Sequence, residues 1–249
     1  MFTHALNPTI LSLGPLEIRW YGLMYVLAFI VIYYYVRSAI RQGKIKLTEK
    51  ELDNLMGILV VAMIIGARLF EAIFYDPSYY FSQPWKILYI WEGGLSFHGG
   101  FAGMALAGYL YARKKGIPFL KLVDVFIVPL ALGNAFGRIG NFINGELYGI
   151  PTTLPWGVVF PGAEGPRHPT QLYEAAYNIV IFIVLYSLRN KKYKDGMLFG
   201  IFMIMYSVFR ISAEFLKDLP HYGPLTMGQW LTIPVFLIGL WLVWTRRNF

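Results

Sequence analysis

Apolar stretches of about 18 residues or more recur along this chain, and as helices rising about 1.5 Å per residue each is long enough to cross a hydrocarbon layer about 30 Å thick. They fall at residues 18–36, 54–74, 95–112, 120–137, 171–189, 197–216 and 229–245. Only 14% of the residues are charged and 57% are hydrophobic, against roughly 25% charged in a soluble domain, so a soluble globular fold is disfavoured. The pattern predicts an all-α integral membrane protein of about seven transmembrane helices. With spans distributed over residues 1–249, it forms a single polytopic membrane domain without a large soluble partner domain.

Seven crossings put the termini on opposite sides, and the basic residues orient them. Arg37, Arg41, Lys44, Lys46 and Lys50 follow the first span; Arg113, Lys114, Lys115 and Lys121 lie between the third and fourth. Arg189, Lys191, Lys192 and Lys194 lie between the fifth and sixth, and Arg246 and Arg247 follow the seventh. All fall on one side, which the positive-inside rule makes cytoplasmic, with the N-terminus outside and the C-terminus cytoplasmic. Orientation therefore accounts for the net charge of +8 better than nucleic acid does, because the basic residues form short inter-span clusters rather than one polar face. The absence of cysteine removes disulfides, thiolate metal sites and an intrinsic cysteine nucleophile, so thiol chemistry needs a thiol carried by the substrate. Residues 1–17 lack the basic n-region and small-residue cleavage site of a signal peptide, and residue 1 is expected to stay in the mature chain.

The outer loops, 75–94 and 138–170, are long and rich in Gly, Pro, Trp and Tyr, and are expected to lie partly at the membrane interface. Tyr79, Tyr80, Phe81, Trp85, Tyr89 and Trp91 suit the headgroup layer as an aromatic anchor. Gly99 and Gly103, and Gly133 and Gly137, have small-xxx-small spacing, for which close helix packing is the default account. No internal repeat is visible, which argues against a secondary transporter.

A charge at mid-membrane costs about 2.5–3.5 kcal/mol on insertion scales, so each one needs a partner or a function. In the seven-span reading Arg68, Glu71, His98, Arg138, Asn141, Glu146, Gln171, Glu174, Tyr206, Arg210 and Glu214 gather near the outer face, while Asp124 lies toward the cytoplasmic end near Lys121, where a helix-end role is expected. Arg68 and Glu71, at i,i+3, and Arg210 and Glu214, at i,i+4, can neutralise each other on one helix face. Arg138 is expected in the same chamber as Arg210, giving two guanidiniums where one carboxylate does not satisfy both. Two such planar forks form a clamp for phosphate, and a phosphate-bearing lipid headgroup is the ligand available at that depth. Among the possible acids and bases His98 stands out, since histidine titrates near neutrality and this one is bracketed by Gly93, Gly94, Gly99 and Gly100. A hydrogen-bonded interfacial histidine is the plainer reading of its position alone. The four histidines are scattered without metal-ligand spacing.

The segment Gly137-Arg138-Ile139-Gly140-Asn141-Phe142-Ile143-Asn144-Gly145-Glu146-Leu147-Tyr148-Gly149 interleaves glycines with Arg, two Asn and Glu, which helix capping alone does not explain. It resembles the signature of the prolipoprotein diacylglyceryl transferase family of the bacterial cytoplasmic membrane. Trp20-Tyr21-Gly22-Leu23-Met24-Tyr25, Leu95-Ser96-Phe97-His98-Gly99-Gly100, Arg167-His168-Pro169-Thr170-Gln171-Leu172-Tyr173-Glu174 and Arg210-Ile211-Ser212-Ala213-Glu214 resemble further family blocks in the same order. The resemblance implies a multi-pass inner-membrane transferase with its active site toward the outer leaflet. It implies phosphatidylglycerol as donor, the lipobox cysteine of a preprolipoprotein signal peptide as acceptor, a thioether product and released glycerol phosphate, with no cofactor or metal. By the same resemblance Arg138 and Arg210 stabilise the phosphate, Asn141, Glu146 and Gly149 shape the headgroup site, Tyr21 and Tyr206 position substrate, Glu214 orients Arg210, and His98 is the thiol base. Arginines also lower a nearby thiol pKa, so a dedicated base is not required by the chemistry.

A carrier or channel for an anionic solute is the competing class, but the inner halves of the spans carry almost no polar groups to continue a polar route. A retinal-type receptor lacks a lysine in the seventh span, and a lipid phosphatase lacks a second histidine or aspartate arranged as phosphoryl acceptor.

Overall fold

The structure, a computed structural model, describes residues 2–13 and 16–247. Seven long helices occupy the seven apolar stretches: α1 (Trp20–Arg41), α2 (Glu49–Phe70), α4 (Phe97–Lys115), α5 (Phe119–Asn144), α6 (Thr170–Leu188), α7 (Met197–Glu214) and α8 (Met227–Arg246). The six-residue α3 (Pro77–Ser82) and two 3-10 turns, Pro84–Leu88 and Ile90–Glu92, fill the loop after α2. Six helices, α1, α2 with its continuation to Tyr75, α5, α6, α7 and α8, are long and apolar enough to cross a membrane. The glycine-rich α4 is outside that set. The protein is an all-α integral membrane protein.

Three helix ends lie five or more residues from the expected bounds: α1 runs on to Arg41, and the other two differences have a visible physical cause. α2 starts at Glu49 because Thr48 and Glu51 form a capping box: the Thr48 hydroxyl accepts from the Glu51 amide at 3.2 Å and the Glu51 carboxylate from the Thr48 amide at 2.9 Å. α5 continues past 137 to Asn144, so Arg138 and Asn141 sit on its last turns rather than in a loop. Gly140 is there for contact, since a Cβ on it would lie 2.9 Å from the Tyr21 ring.

The described residues form two compact units, 36–122 in one and the rest in the other. In residues 36–122, α2 and α4 meet backbone to backbone. A Cβ on Gly99 would lie 2.3 Å from the Gly66 carbonyl oxygen, and one on Gly103 2.3 Å from that of Ala62, so the close packing expected of Gly99 and Gly103 is present. Arg68 is buried, and its guanidinium donates to the carbonyls of Lys86, Ile87, Tyr89, Gly93 and Gly94 while facing the Tyr80 ring at 4.8 Å. The expected Arg68–Glu71 pair is therefore replaced by a carbonyl cage: α2 widens into a π turn at Glu71, which changes the register after Arg68. Arg68 holds the folded-back loop by its five carbonyls.

In the other unit α5, α6 and α7 share a core of Ile127, Val128, Ala131, Tyr177, Ile181, Leu185, Leu198 and Ala213. Gly133 packs against Ala28 of α1, whereas a Cβ on Gly137 would meet nothing within 4 Å, so packing does not explain that glycine. Asp124 takes the helix-end role: its carboxylate accepts from the Gly196 and Phe199 amides, at 2.7 and 2.8 Å, at the start of α7. Short pairings complete the unit, β1 (Phe2–Thr3) with β4 (Val158–Val159) and β4 with β5 (Pro166–Arg167), β2 (Thr9–Leu13) with β3 (Leu16–Arg19), and β6 (His221–Tyr222) with β7 (Leu225–Thr226). His4, after β1, is buried, with Nε2 at 2.7 Å from the Phe142 carbonyl.

Candidate active site

The end of the second unit where α5 and α7 finish and α6 and α8 begin holds an ion cluster built on one carboxylate. Glu174, on the first turns of α6, is fully buried. Its Oε2 lies 2.9 Å from Arg138 Nε, and its Oε1 accepts from Arg210 Nη1 at 3.0 Å and from Lys217 Nζ at 2.8 Å. Glu214 Oε2 lies 3.4 Å from Arg210 Nε, one turn along α7. Three cations thus meet two buried carboxylates, an excess of one positive charge. Burial lowers the pKa of Lys217, and Glu174 opposes that shift. The Arg138 and Arg210 side chains are 25% and 21% exposed, so ligand can reach them even though their carboxylates are closed off.

Arg138 and Arg210 do come together, as the sequence predicts. One correction concerns the counter-ion: among the described residues Glu174 alone pairs with both guanidiniums, a role the sequence reading did not give it. Lys217 was missed altogether. Its signal was available, since it follows Arg210 by two helical turns and stands just past the α7 end, on the same face.

A second group extends the cluster along α5. Arg138 Nη1 reaches Asn141 Oδ1 at 3.4 Å, Asn141 Nδ2 donates to Glu146 Oε1 at 2.8 Å, and Asn144 Nδ2 donates to the same oxygen at 3.2 Å. The loop after α5 is folded onto α6 by Gln171, whose amide donates to the Glu146 carbonyl, and by Thr170, whose hydroxyl donates to the Leu147 carbonyl at 2.9 Å. Leu147 takes a left-handed φ of 60° in this tight return. Gly149 closes it: its amide donates to the His168 carbonyl at 2.8 Å, and a Cβ there would lie 2.3 Å from the Leu216 carbonyl oxygen. Only glycine lets this loop lie against the segment that carries Lys217.

The remaining predicted residues sit nearby or apart. Tyr206, one turn before Arg210, stacks on Phe202 and meets Tyr177 edge-on. Tyr21 lies against Gly140 and shares a hydrogen bond with Tyr25, hydroxyl to hydroxyl, at 3.0 Å. His98 belongs to residues 36–122, where it is exposed at the start of α4 with Nδ1 at 3.2 Å from the Tyr75 hydroxyl. His168 pairs instead with Tyr173, whose hydroxyl also accepts from the Trp156 indole at 2.8 Å.

Fold and site together define a helical integral membrane protein with a partly open cationic cluster at one end of its helices, the chemistry an anionic headgroup requires. The sequence matches the prolipoprotein diacylglyceryl transferase family over residues 8–245. It is 46% identical to the phosphatidylglycerol–prolipoprotein diacylglyceryl transferase of Bordetella avium, over 97% of this chain and 96% of that one. With the enzyme of the same name from Geobacter sulfurreducens it shares 44% identity over 96% and 94% of the two chains, and with that of Nitratidesulfovibrio vulgaris 42% over 96% and 94%. The chain belongs to the prolipoprotein diacylglyceryl transferase family.

Proposed function

We propose that this chain transfers the diacylglyceryl group of phosphatidylglycerol to the lipobox cysteine thiol of a preprolipoprotein signal peptide, forming a thioether and releasing glycerol phosphate. The observation that carries the mechanism is the Glu174 carboxylate gathering Arg138, Arg210 and Lys217 in a chain of this family. As the sulfur–carbon bond forms, the carbon–oxygen bond to phosphate breaks and its electron pair leaves with the glycerol phosphate. Negative charge then grows on the departing oxygen, and the guanidinium donors of Arg138 and Arg210 that Glu174 does not use stabilise it. Asn141, Glu146 and Gly149 shape the headgroup site, Tyr21 and Tyr206 position substrate, and Glu214 orients Arg210. Incubation with phosphatidylglycerol and a lipobox peptide should yield a peptide heavier by one diacylglyceryl group, seen by mass spectrometry. Release of free phosphate with an unmodified peptide would identify a phosphatase instead.

The thiol proton goes to His98. That role requires the tautomer in which Nδ1–H donates to the Tyr75 hydroxyl, leaving the Nε2 lone pair for the thiol. His98→Gln should lower turnover by about 10² while lipid binding persists. Because a substrate cysteine of pKa about 8.5 ionises unaided at higher pH, the variant should recover partly between about pH 7 and 9. Full activity at neutral pH with an unchanged pH profile would instead leave the arginines as activators of the thiolate.

The topology that serves this chemistry has all seven long helices spanning the cytoplasmic membrane of a bacterium as one enzyme domain, N-terminus outside, with the Glu174 cluster toward the outer leaflet. Single cysteines introduced into this cysteine-free chain test it: position 164 should be labelled by an impermeant thiol reagent added outside cells, and position 192 should not. Labelling at 192 overturns the orientation.

A further inference from the structure

We propose that Gly228 is a positioning residue for diacylglyceryl transfer: its missing side chain makes the space in which the Glu214 carboxylate lies while it holds Arg210. The inference rests on the assignment of Arg210 to the phosphate. A Cβ built on Gly228, the second residue of α8, would lie 2.3 Å from Glu214 Oε1, 2.7 Å from Oε2 and 2.8 Å from Cδ. All three distances are shorter than real contacts of a Cβ allow, so the carboxylate covers this Cα face on.

Neither side of the contact has room to retreat. The start of α8 is fixed by a capping box, in which Thr226 Oγ1 accepts from the Gln229 amide at 3.2 Å and Gln229 Oε1 from the Thr226 amide at 3.0 Å. Gln229 Nε2 donates to the Ile211 carbonyl at 3.3 Å, tying α8 to α7, and the Thr232 hydroxyl donates to the Gly228 carbonyl at 2.6 Å. Glu214 is 2% exposed, closes α7, and is held by the positive end of the α8 dipole and by Arg210 Nε at 3.4 Å. Helix propensity favours alanine over glycine at 228, so the glycine answers to the carboxylate and not to the helix. Pushing Glu214 off Gly228 removes one of the two carboxylates that orient Arg210, and leaves Glu174 alone to do so.

Gly228→Ala, Glu214→Asp, Glu214→Gln and the two double variants, purified in micelles containing phosphatidylglycerol and assayed with a lipobox peptide, test this. Gly228→Ala should lower kcat about tenfold with little change in the phosphatidylglycerol KM. Aspartate at 214, shorter by one methylene, should lower kcat in the otherwise native chain yet raise it severalfold in the Gly228→Ala background. Glutamine, the same size as glutamate, should rescue nothing. Gly57→Ala, where a Cβ meets no atom within 4 Å, is the control and should leave kcat unchanged. If Gly228→Ala does not accumulate, joint return of folded protein and activity in Gly228→Ala/Glu214→Asp supports the proposal and its absence overturns it. Native kcat in Gly228→Ala, or a loss that aspartate does not relieve, also overturns it, and neither touches the Arg210 assignment; a fully active Arg210→Lys enzyme overturns that assignment itself.

Discussion

Arg210→Lys and Arg138→Lys should each lower kcat by about 10²–10³, the scale set by losing one donor aimed at developing charge, with folded protein still in the membrane. Arg138 donates Nη1 to Asn141 and pairs through Nε with Glu174 at 2.9 Å, while Arg210 donates Nη1 to Glu174 and pairs through Nε with Glu214 at 3.4 Å. A guanidinium carries five N–H groups in a fixed plane, so after these contacts each side chain keeps donors for a second anion. Lysine retains the charge but places its three donors on one atom. It therefore gives up either the carboxylate that orients it or the phosphate it serves. If the arginines act mainly as charge grows on the departing oxygen, kcat and kcat/KM fall together and KM moves little; a rise confined to KM would mark ground-state lipid binding instead. Turnover close to native in either variant, at matched protein levels, would show that charge alone suffices and that the two-fork geometry is incidental.

Most of the helical framework is legible in the sequence, because span length and apolarity answer directly to the thickness of the membrane. Helix ends are less legible. The apolar stretch ends at 137, yet α5 runs on through Gly140 to Asn144, and Gly140 is there for the Tyr21 ring. The convergence of Arg138 and Arg210 follows from their shared depth near the C-terminal ends of two spans that run in the same direction, so the sequence alone predicts it. What holds them it does not predict. That Glu174 of α6 reaches both depends on helix rotation, and rotation is set by contacts such as Gly133 on Ala28 and the α5–α6–α7 core, which no single-helix pattern encodes. Arg68 shows the same limit: its i,i+3 spacing to Glu71 pointed to an ion pair, while a π turn and a folded-back loop supply five carbonyls instead.

Glu174→Gln should lower turnover at least tenfold and reduce stability as well, and the two effects can be separated. Removing one partner of a buried ion pair costs about 3–5 kcal/mol when the remaining charge cannot reach water. Arg138 and Arg210 are partly exposed and can be rehydrated, but Lys217, 9% exposed, cannot. Most of the stability loss should therefore come from the lysine. Burial already lowers its pKa, and with Glu174 gone nothing in the pair opposes that shift. The unfolded chain keeps a lysine proton to about pH 10.4, so between the folded pKa and that value the unfolded state binds more protons and stability rises with pH. The melting temperature of Glu174→Gln should accordingly fall furthest below the native protein near neutral pH, and the gap should narrow as pH rises. Lys217→Met in the same chain should restore most of the stability at neutral pH by removing the stranded ammonium. It should not restore turnover, because Arg138 still lacks the carboxylate that aims it and Arg210 one of its two. Recovery of stability and activity together would reduce Glu174 to a counter-ion for Lys217 and leave the orientation of Arg138 and Arg210 to other contacts.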